Sequence, residues 1–139
     1  MTVTVTVTDQ LRRLGFSDEA IARATVGGKP LIEAVRKPSR VDRMNKTEAL
    51  YSVELEWQQR EGTIRRWAFE SLKFRLAKRT WYTPDFAVWL TDGRLRLVEV
   101  KGFLRDDAAA KFKIAREMYA EFEWLMVRRV KGHWEEVPI

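Results

Sequence analysis

The stretch that most constrains this chain is residues 82–102, YTPDFAVWLTDGRLRLVEVKG. Two apolar runs flank Asp92-Gly93, a pattern that predicts an antiparallel hairpin with a tight turn. Three charged residues, Asp85, Glu99 and Lys101, stand at the end away from the turn. Charges in so apolar a ribbon are costly unless they pair or hold a metal. Strand side chains alternate faces, so Glu99 and Lys101 point one way while Val98 and Val100 point the other. Asp85 joins Glu99 only if the loop has odd length. A two-residue loop would set Asp85 opposite Val100. A three-residue loop, Thr91-Asp92-Gly93, sets it opposite Glu99, with Gly93 in the left-handed position of a type I turn with a bulge.

That parity carries chemistry. Carboxylates on neighbouring strands can hold a hard cation such as Mg2+, with Mn2+ as a substitute, and the Val100 carbonyl can add a third oxygen. A metal so held polarises a phosphodiester and helps form a hydroxide nucleophile. Lys101 can orient or deprotonate the attacking water, or neutralise charge developing on phosphorus. The plainer reading is an ordinary Asp85–Lys101 ion pair at a strand end.

Pro84-Asp85 followed by Glu99-Val100-Lys101 resembles the signature of the PD-(D/E)XK nuclease superfamily. Within it, Tyr82-Thr83-Pro84-Asp85-Phe86, Glu99-Val100-Lys101-Gly102-Phe103, Asp106-Asp107, Lys111 and Arg116-Glu117 resemble phage-type endonuclease I, a Holliday-junction-resolving enzyme, and related small phage nucleases. The resemblance spans roughly residues 45–129 and is firmest over 82–117. It implies an α/β (α+β) fold with a restriction-endonuclease-like central mixed sheet flanked by helices. It also implies that Glu48, on a helix before the sheet, completes the metal site, and that Lys111 and Arg116 lie near the site and the DNA backbone. Junction resolution needs two active sites related by symmetry, so the resemblance implies a homodimer. A short C-terminus and an additional N-terminal segment depart from the endonuclease I pattern.

At 139 residues the chain suits one domain. The expected layout is a strand arm with a short helical segment over 1–43 and a nuclease domain over 44–139. A net charge of +6 and a pI near 9.8 favour a polyanionic partner, most simply DNA. The absence of cysteine excludes disulfides, thiolate metal sites and cysteine nucleophiles. No run is long enough to span a membrane and no signal pattern opens the chain, so no membrane partner and a cytoplasmic location, in phage-infected or bacterial host cells, are expected.

In chain order, alternating valines and threonines predict a strand over residues 1–8, an edge or an arm for a second chain. Two short helices follow, one over 10–14 capped by Asp9 and one over 18–24 capped by Ser17. Leu11, Leu14, Phe16 and Ile21 form a small apolar cluster. A short helix over 31–35 and a basic linker over 36–43 come next. The first long helix covers 45–59, with Leu50, Val53 and Trp57 as its buried stripe and Gly62 as its stop. Asn45-x-x-Glu48 also has the form of a capping box, so capping and metal binding compete for the Glu48 carboxylate.

Strands over 64–69 and 72–76 carry Lys73 and Arg75 on one face. With Lys78 and Arg79 these can contact phosphates or form a solvated sheet face. A helix from Asp106 to about residue 120 is expected to bury Phe112, Ala115, Met118 and Tyr119. Strands over 122–130 and 134–137 close the chain, with the single histidine, His133, in a turn between them. The function expected is Mg2+-dependent endonucleolytic cleavage of branched DNA. The alternatives are a phage nuclease acting on ordinary duplex or single-stranded DNA, and a DNA-binding module without catalysis.

Overall fold

A computed structural model describes residues 7–13, 15–23, 25–26, 29–37, 41–102 and 106–138. In chain order the elements are α1 (Val7–Arg13), α2 (Asp18–Arg23), β1 (Thr25–Val26), β2 (Lys29–Pro30), β3 (Ile32–Ala34), a 3-10 turn (Val41–Arg43) and α3 (Lys46–Glu61). Then come β4 (Ile64–Phe69), β5 (Leu72–Ala77), β6 (Thr80–Tyr82), β7 (Phe86–Leu90), β8 (Leu95–Val100), α4 (Asp106–Met118), β9 (Glu123–Val130) and β10 (His133–Glu136). The fold is mixed α+β. A central sheet runs β10-β9-β8-β7-β4, and a second sheet runs β3-β5-β6. Within the central sheet only β8 and β9 pair in parallel, and α4 provides the crossover such a pair requires.

The hairpin has the odd loop that its parity demands. Phe86 pairs with Val98 and Trp89 with Leu95, so Asp85 falls opposite Glu99. Leu90 N donates to Arg94 O at 2.9 Å and Gly93 N to Leu90 O at 3.1 Å, closing Thr91-Asp92-Gly93 with Gly93 at φ 89°. Every residue of β7 is buried, as expected of a strand held between β4 and β8.

The central sheet is covered on both faces. Trp89, Leu95 and Leu97 pack with Leu11, Phe16 and Ile21 of the N-terminal segment and with Ile32, Leu72 and Phe74 of the second sheet. On the opposite face Phe86, Val88, Val98 and Val100 pack with Tyr51 and Leu55 of α3. Asn45 and Gly62 cap α3 at its two ends, Gly62 in the left-handed conformation. No helix among the described residues is long and apolar enough to cross a membrane.

Several sequence expectations are corrected. Val7 and Thr8 open α1 rather than ending a strand, which puts Asp9 inside the helix instead of at its cap. The rest of the proposed arm, residues 1–6, and Leu14 lie outside the described residues. Residues 32–34 form strand β3, not a helix, because pairing with β5 satisfies a segment too short to nucleate a helix alone. On α3 the buried face is Tyr51 and Leu55, whereas Leu50, Val53 and Trp57 are 37%, 54% and 57% exposed. Apolar residues surround much of this helix, and the sheet selects the face. Phe112 and Ala115 of α4 and Tyr119 just after it are buried as expected, but Met118 is exposed. His133 begins β10 and is exposed.

Candidate metal centre

Sheet register gathers carboxylates at one end of the central sheet. The β4–β7 pairing ends at Phe69↔Phe86. The next step places Glu70 beside Asp85, and Glu70 N donates to Asp85 O at 2.8 Å. On the other side of β7 the hairpin sets Glu99 opposite Asp85. Asp85 thus stands between two glutamates on adjoining strands. Glu48 arrives from the first turn of α3, and one carboxylate oxygen each from Glu48, Glu70 and Asp85 lies within 4.8 Å of the others. Glu99 faces the same open cleft of about 850 Å3 as Glu48, Asp85 and Lys101.

Individual oxygens are already committed. Asp85 Oδ2 accepts from Val100 N at 2.8 Å. Glu99 Oε2 accepts from the Tyr82 hydroxyl at 2.5 Å. Glu48 Oε1 accepts from Asn45 N at 2.9 Å, and Glu48 N donates back to Asn45 Oδ1 at 2.8 Å. The capping box therefore exists, and the same carboxyl also meets Asp85, so one Glu48 side chain both caps α3 and reaches the acidic cluster.

The electrostatics are adverse without a cation. Burial is the main cause that raises the Asp85 carboxyl, and the Glu99 charge adds to it. Burial also raises Glu99, against the opposing hydrogen bond from Tyr82. Among the described residues no lysine or arginine forms an ion pair with Glu48, Asp85 or Glu99. The Asp85–Lys101 ion pair of the plainer sequence reading is therefore not formed. Oxygen donors in this number and this poorly neutralised suit a hard divalent cation, so the donor set fits Mg2+ or Mn2+. Val100 also lines the cleft, between Glu99 and Lys101.

The basic residues separate into two groups. Lys101 lines the cleft, together with Lys46 and Arg129, which the sequence reading had not singled out. Arg129 on β9 is stacked over Trp134, its guanidinium 5.5 Å from the ring centre. Lys73 and Arg75 lie on β5 of the second sheet, where Lys73 pairs with Glu33 at 3.4 Å and stands 4.7 Å over the Trp81 ring. Lys78 and Arg79 form the exposed β5–β6 turn, and Lys111 and Arg116 lie on α4. None of these six lines the cleft.

Glu70 and Tyr82 are the other functional candidates that sequence reasoning missed. Glu70 acquires meaning only through the β4–β7 register, and no local pattern marks it. Tyr82 was visible as part of the Tyr82-Thr83-Pro84-Asp85-Phe86 run, but its partner was not. A family model described as "Protein of unknown function (DUF1064)" matches residues 41–134, a span that contains all four carboxylates. No curated protein and no solved structure matches the chain.

Proposed function

We propose that this chain, which belongs to the DUF1064 family, is a metal-dependent endodeoxyribonuclease. The observation that carries the reading is Asp85, half-buried, flanked in register by Glu70 and Glu99, without an ion-paired cation among the described residues and facing the same cleft as Lys101. Asp85 and Glu99, with Glu48, Glu70 and the Val100 carbonyl, are the ligand donors for Mg2+ or Mn2+. A divalent cation bound there supplies Lewis-acid stabilisation of the phosphodiester oxygens and acidifies water. Lys101 orients the attacking water or neutralises charge accumulating on phosphorus. Arg129, held by Trp134, and Lys46 contact phosphates on either side of the scissile one, a sequence-independent contact suited to a protein of net charge +6. Lys73, Arg75, Lys78, Arg79, Lys111 and Arg116 offer further backbone contacts outside the cleft.

The resemblance to endonuclease I favours branched DNA cut by a homodimer in the cytoplasm of an infected or bacterial cell. The deciding assay offers a four-way junction, matched linear duplex and single strands with Mg2+ to wild type and Lys101→Ala. Paired nicks in the junction alone, lost in the variant, establish a resolvase. Cutting of every substrate retains the nuclease and removes the junction. Absence of cleavage with any metal, with DNA binding intact, leaves a binding module.

A further inference from the structure

Tyr82 reaches the acidic cleft from outside the central sheet. It ends β6 in the second sheet, opposite Phe74, and is 5% exposed. Its ring meets Phe112 of α4 edge-on, with centroids 6.4 Å apart, and lies equally far from Trp124 of β9. Aromatic walls on two sides fix the ring and leave the hydroxyl one direction, toward Glu99 Oε2. A phenol has one proton to donate, and here it goes to a single carboxylate oxygen. Glu99 is thereby tethered through Oε2, its carboxyl also accepts from the Asp85 backbone, and the residue lines the cleft. Asp85 is tied through Oδ2 to Val100 N, and its carboxyl also meets that of Glu48.

We infer that Tyr82 is a positioning residue that keeps Glu99 a one-oxygen ligand and so selects a small six-coordinate cation over Ca2+. This rests on the metal-site reading above. Mg2+ requires near-octahedral donors at short distance, usually one oxygen from each carboxylate with waters completing the shell. Ca2+ takes six to eight oxygens and readily uses both oxygens of a carboxylate. Releasing Glu99 Oε2 removes the constraint that penalises the larger ion. Arrangements that orient metal ligands in this way typically change affinity by about 10- to 100-fold when removed.

The test is calorimetric titration of wild type and Tyr82→Phe with Mg2+, Mn2+ and Ca2+, without DNA. The phenylalanine preserves the ring packing, and circular dichroism with the metal-free melting temperature checks the fold. The expected result is that Mg2+ and Mn2+ weaken by about tenfold while Ca2+ is unchanged or tighter. Ca2+ then inhibits Mg2+-supported cleavage at lower concentration in the variant. Equal weakening of all three ions overturns the inference, since Tyr82 would then merely support Glu99. An unchanged Mg2+-to-Ca2+ ratio overturns it as well. Should Tyr82→Phe fail to fold, Tyr82→Leu replaces it: the side chain stays apolar, the hydroxyl is gone, and the same fall in the ratio is expected. Wild type that binds no divalent ion removes the metal-site reading itself, a result visible before any variant is compared.

Discussion

The two ends of the β7–β8 hairpin carry the same kind of residue in opposite circumstances. At the turn, the exposed Asp92 accepts from Arg94 N at 3.0 Å and from Arg94 Nε at 2.7 Å. Those bonds hold its carboxyl below the usual aspartate range. At the other end, five residues of β7 away, burial drives the Asp85 carboxyl up, and its nearest charged neighbours are other carboxylates. The turn charge is matched locally by its own loop. At the strand ends no lysine or arginine among the described residues pairs with Asp85 or Glu99, so burial and like charge leave those two carboxyls raised.

The comparison is broken most directly by exchanging each aspartate for its amide. Asp85→Asn should lower cleavage by about 10^3-fold or more, the scale of removing one preorganised electrostatic group. The same substitution should raise the metal-free melting temperature near pH 8, because it removes a carboxyl whose ionisation the fold disfavours while Asn can still accept from Val100 N. Asp92→Asn should leave cleavage unchanged. Cleavage rates and thermal melts of the two variants side by side decide the matter. Equal loss of activity in both would show that the two ends do not differ in function.

The pH dependence of stability sharpens the same contrast. Asp85 and Glu99 have raised carboxyls in the fold, so the metal-free folded state binds more protons than the unfolded one. Stability then decreases as pH rises from the ordinary carboxylate range, about 4, through neutrality. Saturating Mg2+ should flatten or reverse that slope, since the cation favours the deprotonated ligands. Asp92 contributes with the opposite sign, its lowered carboxyl favouring the fold above the unfolded value. Its exposure to solvent keeps that contribution small. Denaturant melts from pH 5 to 9 with and without Mg2+ read this out. A metal-free profile that climbs with pH would contradict the burial of the two acids.

How much of this was legible in the sequence depends on the range of the interaction that fixes each feature. The hairpin parity was legible because a period of two and a turn glycine determine it within a few residues. The capping role of Glu48 was legible from the Asn45-x-x-Glu48 spacing, whereas its place beside Asp85 was expected only through the resemblance. Glu70 was not, because it joins the site only when β4 settles in register against β7, 15 residues of chain later at Asp85. Tyr82 shows the same limit: its bond to Glu99 joins two different sheets. On α3 the apolar spacing of Leu50, Val53 and Trp57 was real but pointed to the wrong face, since Tyr51 and Leu55 fit the sheet better. At β3, strand pairing with β5 outweighed local helix preference.

A smaller effect separates substrate binding from metal binding at the site end. Arg129→Ala should weaken DNA binding by about tenfold and reduce the salt dependence of binding by about one phosphate contact. Metal affinity should stay at the wild-type value. Binding measured in Ca2+ across a series of salt concentrations checks it. An unaltered salt slope would place the DNA away from the β9–β10 side of the cleft, leaving Lys46 as the flanking contact.

The smallest effect belongs at the turn. Gly93 holds φ 89° with nothing within 4 Å of where a Cβ would stand, so Gly93→Ala meets backbone strain without a clash. A left-handed non-glycine residue costs about 1–2 kcal/mol, which a denaturant melt resolves. Cleavage per folded molecule should not change, because the loop sets the parity of the hairpin through its length, which alanine preserves. If activity fell along with stability, the three-residue loop would have to be slipping to a two-residue one. That slip would turn Asp85 to face Val100 rather than Glu99, and the acidic end would depend on the exposed one after all.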